Sequence, residues 1–312
     1  MSGSSESRLP ARDSFFPSQL RRHRAPGEFA AHPKPAFRCG HTLRMVPADE
    51  VKVRGRGIGP FVTLVETERP GEVLERWESR RHRKQTGVSN GESTWWAPHH
   101  RGWWIGVLFA VGSLLFALGA LPGYASAVGI DADAVTFFVG SLFFTSAGFL
   151  QFREVGDSGP DGPPHVWRRV FFYRPDQIDW WATAIQLLGT VYFNVSTGHA
   201  MTTDLSAQAS RQQVWRPDAL GSVCFLVASA LAWFEVSHGW GSWQPRSLSW
   251  WIPLANLIGS VAFGVSAVAA FVVPATGALL DVELSNLGTF IGALCFLGGA
   301  LLLLPERTLE LE

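Results

Sequence analysis

Three glutamates, Glu154, Glu235 and Glu306, each stand fourteen residues after a glycine: Gly140, Gly221 and Gly292. A carboxylate can hold a cation, pair with a base or move a proton. Three at equivalent positions could form a ring about a pseudo-threefold axis and bind a cation or a basic partner. The favoured reading is structural ion pairs, with Arg153, Arg246 and Arg307 as partners near in sequence, because an interfacial carboxylate costs far less than one at the membrane centre. A second set is made of amides. Gln186 and Asn256 each precede a glycine by three residues, where the first copy of the pattern has Phe109, and Asn194 follows Gly189 by five. Amides inside apolar runs either join helices by hydrogen bonds or line a pathway for a solute. No Asp, Glu, Lys or Arg falls near the middle of any apolar run, which argues against a proton-coupled carrier or a pump for charged substrates.

Other chemistry is sparse. His82, His99, His100, His165 and His238 cluster near one end of the apolar runs, but adjacent histidines beside a membrane are more often interfacial than metal ligands. No HExxH, CxxC, phosphate-binding loop or nucleophile elbow occurs. No catalytic residue, metal or cofactor is therefore assigned, and an enzyme ranks third among the readings for want of a recognisable site. Cys39, Cys224 and Cys295 cannot all pair, so a disulfide framework is not expected. Net charge is zero, so nothing global points to nucleic acid.

These groups sit in elements marked by a repeated pattern. Trp103-Trp104, Trp180-Trp181 and Trp250-Trp251 each open an apolar run. Nine residues after the first Trp of each pair comes Gly112, Gly189 or Gly259, and four later Phe116, Phe193 or Phe263. The intervening runs carry the same Gly-to-Phe step at Gly140 and Phe144, Gly221 and Phe225, and Gly292 and Phe296. Each run is long enough to cross a bilayer. The expected fold is an all-α membrane protein with six transmembrane helices, near 103–121, 134–152, 179–197, 217–236, 248–272 and 284–304. They form three two-helix hairpin repeats, 103–154, 179–235 and 250–306, within a domain spanning 103–306. Gly and Phe one turn apart give each helix a small-and-large face on which a neighbour can pack closely.

The first 102 residues are different. Residues 1–40, rich in Ser, Pro, Arg and His, read as a disordered tail without the apolar core of a signal peptide. Residues 41–102 form a small cytoplasmic N-terminal segment. Its two β-like pieces, at Val51–Val53 and Pro60–Val65, make a hairpin or an irregular loop. Residues 71–86 read as one helix with its cations at the C-terminal end, resting on anionic lipid or simply solvated. Arg80, Arg81, Arg83, Lys84 and Arg101 precede the first run, and Arg153, Arg168, Arg169, Arg174, Arg246 and Arg307 lie at the same end of later ones. Only Arg211 and Arg216 oppose them, so the positive-inside rule places both termini in the cytoplasm, in a cell's inner membrane.

The hairpins, with Gly140-Ser141 to Phe144 and Gly221-Ser222 to Phe225 as the clearest copies and an acidic residue closing each second helix, resemble the YrhK-like family of small bacterial membrane proteins. That resemblance implies location and architecture and carries no functional residues. Two functions stay open: a non-enzymatic membrane binding or scaffold module, and a channel or facilitator for a small, weakly charged solute. Expected partners are the lipid bilayer, with anionic lipid at the basic helix, and no nucleic acid.

Overall fold

The computed structural model describes residues 52–69, 72–85, 95–157, 172–202 and 205–309. The expected tail, 1–40, lies outside them, as does His165.

The N-terminal segment is a three-stranded antiparallel meander: β1 (Lys52–Ile58), β2 (Phe61–Arg69) and β3 (Glu72–Glu78). Gly57 marks a register shift against β2, where a Cβ would lie 1.8 Å from the Phe61 carbonyl oxygen. The expected single helix over 71–86 is corrected here. Its first half is β3, paired with β2 from Arg69↔Glu72 to Leu64↔Glu78, and only Ser79–Gln85 is helical (α1). Val73 and Trp77, four residues apart, fit one face at strand period as readily as at helix period, and pairing with β2 decides between them.

Six long helices follow: α2 (Arg101–Gly119), α4 (Ile130–Asp157), α5 (Ile178–Ala200), α7 (Arg216–Ser237), α8 (Leu248–Ala269) and α9 (Val282–Leu309). A short α3 (Tyr124–Val128) lies in the first connection. One turn of helix, α6 (Ala207–Ala209), and a π-helical stretch, Ser210–Trp215, run directly into α7. That helix therefore begins about ten residues earlier than the hydropathy suggested, at the cap where Ser206 Oγ accepts from the Ala209 N–H. Five stretches are long and apolar enough to cross a membrane: α2, α4, Ala207–Ser237, α8 and Val282–Glu306 of α9. The sixth helix, α5, has 23 residues, but Trp180, Trp181, Gln186, Tyr192 and Asn194 dilute its apolar run.

Each long helix packs on two others, closing a ring in the order α2, α4, α5, α7, α8, α9 and back to α2. The Gly-to-Phe step explains the pairing. A Cβ on Gly112 would lie 2.7 Å from the Phe144 ring, and one on Gly140 2.8 Å from Phe116. The same exchange joins Gly189 to Phe225 and Gly221 to Phe193, then Gly259 to Phe296 and Gly292 to Phe263. Each helix thus receives its partner's ring in the space its own glycine leaves. Outward faces carry Leu114, Val139, Leu188, Val223, Ile258, Val261 and Leu294, all more than a third exposed.

Candidate functional site

Three structures stack along the middle of the helix ring: an aromatic plug, a small polar chamber and an ionic lid. The plug consists of the six phenylalanines of the Gly-to-Phe steps, each at most 7 % exposed. Phe116, Phe193 and Phe263, from the helices that open with Trp pairs, lie 6.1–6.4 Å apart between ring centres. Phe144, Phe225 and Phe296, from the alternate helices, lie 5.4–6.1 Å apart. Two aromatic triangles therefore close the centre, with edge-to-face contacts between them such as Phe116 to Phe144 at 5.4 Å.

The chamber has a volume of about 30 Å³, room for about two waters at roughly 10–15 Å³ each. Gln151, Gln186, Ser229, Asn256 and Arg80 line it, with Phe296 of the plug as its floor. Gln186 and Asn256 thus come together as the shared register implied. Asn194 does not join them: its Nδ2 donates to Thr145 Oγ1 across the α4–α5 seam at 2.8 Å. That seam carries a second bond between Ser141 and Thr197 hydroxyls, 3.0 Å, and Ser229 and Ser260 join α7 to α8 at 2.8 Å. Close packing matters at the chamber wall too, where a Cβ on Gly299 would lie 2.6 Å from Asn256 Oδ1.

The lid is α1. Its cations turn toward the helix ring and take one glutamate each. Lys84 Nζ lies 2.6 Å from Glu154 Oε2, Arg83 Nη1 and Nη2 lie 3.0 and 3.2 Å from Glu235, and Arg80 Nε lies 2.8 Å from Glu306 Oε1. The spacing Arg80, Arg83, Lys84 is one helical face, i, i+3, i+4. The three glutamates therefore do not converge on one ion; each is held separately. Two of the expected neighbours stand elsewhere: Arg153 lies 3.8 Å from Asp157, and Arg246 lines an outer cleft; the Arg307 side chain lies outside the described residues. Sequence proximity favoured them, but a cation arriving from a different element reaches the end of the bundle more directly.

The position just before each Trp pair completes the lid. Asp179 accepts a second bond from Arg83, and Ser249 Oγ donates to Glu306 Oε1 at 2.7 Å. In the first copy Gly102 stands there, with space for a Cβ 3.6 Å from Glu154 Oε1. Four carboxylates thus meet three cations, and Ser79 Oγ adds a bond of 2.7 Å to Glu235 Oε1. Burial alone would lower the Arg83 pKa, but the charges of Glu235 and Asp179 more than reverse this and hold it above the ordinary arginine value. Glu306 Oε2 is buried without a hydrogen-bond partner among the described residues. Asp179, Ser249 and Gly102 were not singled out from the sequence. Their shared offset from the Trp pairs was the available signal.

The Trp pairs build the rim by one hydrogen-bond scheme used three times. The first indole of each pair donates to a carbonyl eight residues back: Trp103 to Trp95, Trp180 to Phe172 and Trp250 to Ser242, at 2.7–2.9 Å. The second donates to a proline carbonyl six residues back: Trp104 to Pro98, Trp181 to Pro175 and Trp251 to Pro245, at 2.9–3.1 Å. An aromatic ring two residues before each proline meets the first indole edge-on at 5.1 Å, from Trp96, Tyr173 and Trp243.

No family model, curated protein or solved structure matches the chain. The sheet meets the same end of the helix ring through Thr63, whose fully buried hydroxyl lies 2.9 Å from His238 Nδ1. Burial lowers the His238 pKa below the ordinary imidazole value. Glu78 and Glu235 oppose that fall, and Arg76 and Arg56 add to it. Among the described residues no three His, Cys, Asp or Glu side chains converge as metal ligands would.

Proposed function

We propose that the protein is an integral membrane module of six spans, built as three hairpin repeats, that holds a small folded N-terminal segment against one membrane face and conducts nothing in its resting state. It works as a scaffold or binding module, without catalysis. The observation that carries this reading is the six-phenylalanine plug backed by the ion-paired lid, because a packed aromatic seam leaves no route for water along the axis. Membrane residence is supported by the reversed distribution of side chains. Leu, Val and Ile face outward, whereas Ser, Thr, Asn, Gln and the charged cluster face inward. The three-repeat reading is supported by the indole bonds and the reciprocal Gly–Phe contacts, each of which recurs at the same offsets.

The Arg-rich end carries the lid and belongs in the cytoplasm on this account, with both chain termini, in a cell's inner membrane. Exposed Trp95, Trp96, Tyr173, Trp240 and Trp243 stand at that end, at the depth where indole and phenol rings meet headgroups. Reconstitution tests the reading. Proteoliposomes containing the full chain should show the water, glycerol and ion permeability of empty vesicles. Flux well above that background would remove the scaffold reading.

A second reading keeps the facilitator class, because Gln151, Gln186 and Asn256 place three amides around the chamber. In that reading the chamber is an occluded station for a small neutral solute, with the lid as one gate and the plug as the other. Flux that appears only when Arg80, Arg83 and Lys84 are all replaced, and falls again with Gln186→Leu and Asn256→Leu, would select it.

A further inference from the structure

The repeated pattern supplies its own control for the chamber. Phe109, Gln186 and Asn256 occupy one position in its three copies, three residues before a glycine. Gln151, Ala232 and Leu303 occupy another, eleven residues after Gly140, Gly221 and Gly292. All six line the chamber. Phe109, Ala232 and Leu303 show that apolar side chains satisfy the packing at both positions, so helix contacts do not require the amides found in the other copies. The amides share their space with Arg80 and Ser229. Ser229 is engaged by Ser260, and Arg80 Nε by Glu306, but a guanidinium has five N–H donors and Nε supplies one of them. Among the described residues that line the chamber, none is Asp or Glu.

We infer that the chamber binds a small neutral molecule bearing a carbonyl oxygen and an N–H, no larger than urea, an inference that rests on the second reading above and names what its station holds. Charge narrows the class. A cation would meet Arg80 with no carboxylate in the lining to balance it, and an anion would have to share Arg80 with Glu306. Size narrows it further, since about 30 Å³ takes a molecule spanning about two waters. Shape separates such a solute from water itself. A buried water needs several polar partners and loses those directions that meet the Phe109 ring or Leu303. A planar amide makes its hydrogen bonds in one plane, and its C–H edge and its faces need none. Its carbonyl can accept from the Nη groups of Arg80, and its N–H can donate to the amide oxygen of Gln186 or Asn256. Arg80 is at once a wall of the chamber and a tie between the lid and Glu306, so an occupied chamber holds the lid closed.

The test uses the full chain in detergent micelles, with formamide as the probe and formate and formamidinium as its negatively and positively charged counterparts of the same size. Binding is read by saturation-transfer NMR on the probe and by amide hydrogen exchange across residues 79–85. A solute this small binds no tighter than about millimolar. Formamide should bind saturably and, at about nine times its half-saturating concentration, slow exchange in α1 about tenfold. Formate and formamidinium should do neither. Gln186→Leu, which puts an apolar side chain where the first copy has Phe109, should melt normally and weaken formamide binding about fivefold, the worth of one hydrogen bond. Asn256→Leu should act alike and stands in if Gln186→Leu misfolds. Asn194→Leu, at an amide outside the chamber, should leave binding unchanged. Absence of saturable formamide binding, equal binding of either ion, or full binding by both chamber variants overturns the inference. Flux is measured separately, in proteoliposomes of the chain with Arg80, Arg83 and Lys84 replaced. Saturable binding by the native chain without such flux supports the site and removes only the transport part of the second reading. Flux without saturable binding keeps transport and overturns the inference.

Discussion

Replacing Arg83 with methionine should loosen the lid more than any other single change in it. The Arg83 side chain is 7 % exposed and is shared by Glu235, 2 % exposed, and Asp179, 13 % exposed. Methionine keeps most of the apolar stem and removes the charge, leaving two carboxylates facing each other. Stranding a buried charge in this way costs about 3–5 kcal/mol. The bundle escapes the cost by letting α1 lift so that water reaches the carboxylates. At about 3 kcal/mol the opening equilibrium rises roughly 150-fold. Lys84→Met removes one partner of Glu154 without leaving two carboxylates face to face, and should cost less, about 1–2 kcal/mol. Arg80→Met strands Glu306, 1 % exposed with one oxygen already unpartnered, and should fall between the two. Amide hydrogen exchange across residues 79–85 reads the order directly, with the middle of α8 as internal reference. Combining Arg83→Met with Glu235→Gln should cost less than the sum of the two single changes, because the carboxylate whose cation is lost is gone as well. Unchanged exchange in Arg83→Met, or a greater effect from Lys84→Met, would refute the ionic-lid reasoning.

Further consequences follow from the plug, the glycines and the sheet contact. Phe225→Ala, at a ring 1 % exposed, should lower stability by about 3–5 kcal/mol and depress the melting temperature in detergent; a near-normal melt would mean the plug is not packed. Gly292→Ala puts a Cβ 2.6 Å from the Phe263 ring and should cost about 1–3 kcal/mol, whereas Gly264→Ala, with nothing within 4 Å, should be neutral or slightly stabilising. Because the folded His238 pKa lies below its unfolded value, the native protein resists protonation there. The stability from this contact is complete above the free imidazole value of about 6.5 and is lost as pH falls from there through the lower folded pKa. Limited proteolysis between β3 and α2 should therefore quicken on acidification, and His238→Gln should flatten that dependence.

Much of the bundle can be read from the chain because its signals are local and repeated. Gly and Phe at one-turn spacing name both the contact face and the core residue, and the six rings at the centre are the six that spacing picks out. Gln186 and Asn256 share a chamber for the same reason of common register. The lid was harder. Its helix is seven residues long, and its partners lie 70 to 226 residues away. Periodicity carries no information about such distant pairings, so the cations at 80–84 looked like a surface for lipid and the glutamates like partners of their nearest arginines. β3 was hidden in the same way, since Val73 and Trp77 fit helix and strand periods alike and the deciding fact is pairing with β2. Asn194 takes the other role its type allows: it joins two helices, donating to Thr145 of α4, and periodicity does not name that partner.

Cysteine accessibility in intact cells tests the central claim most directly. With Cys39, Cys224 and Cys295 changed to Ser, single cysteines at His82, Ser126 and Ala275 report on the lid and on two connections at the opposite end of the bundle, all exposed. A membrane-impermeant maleimide should label Ser126→Cys and Ala275→Cys in whole cells and reach His82→Cys only after the inner membrane is opened. Labelling of all three alike, or recovery of the chain in the aqueous fraction without detergent, would contradict the account.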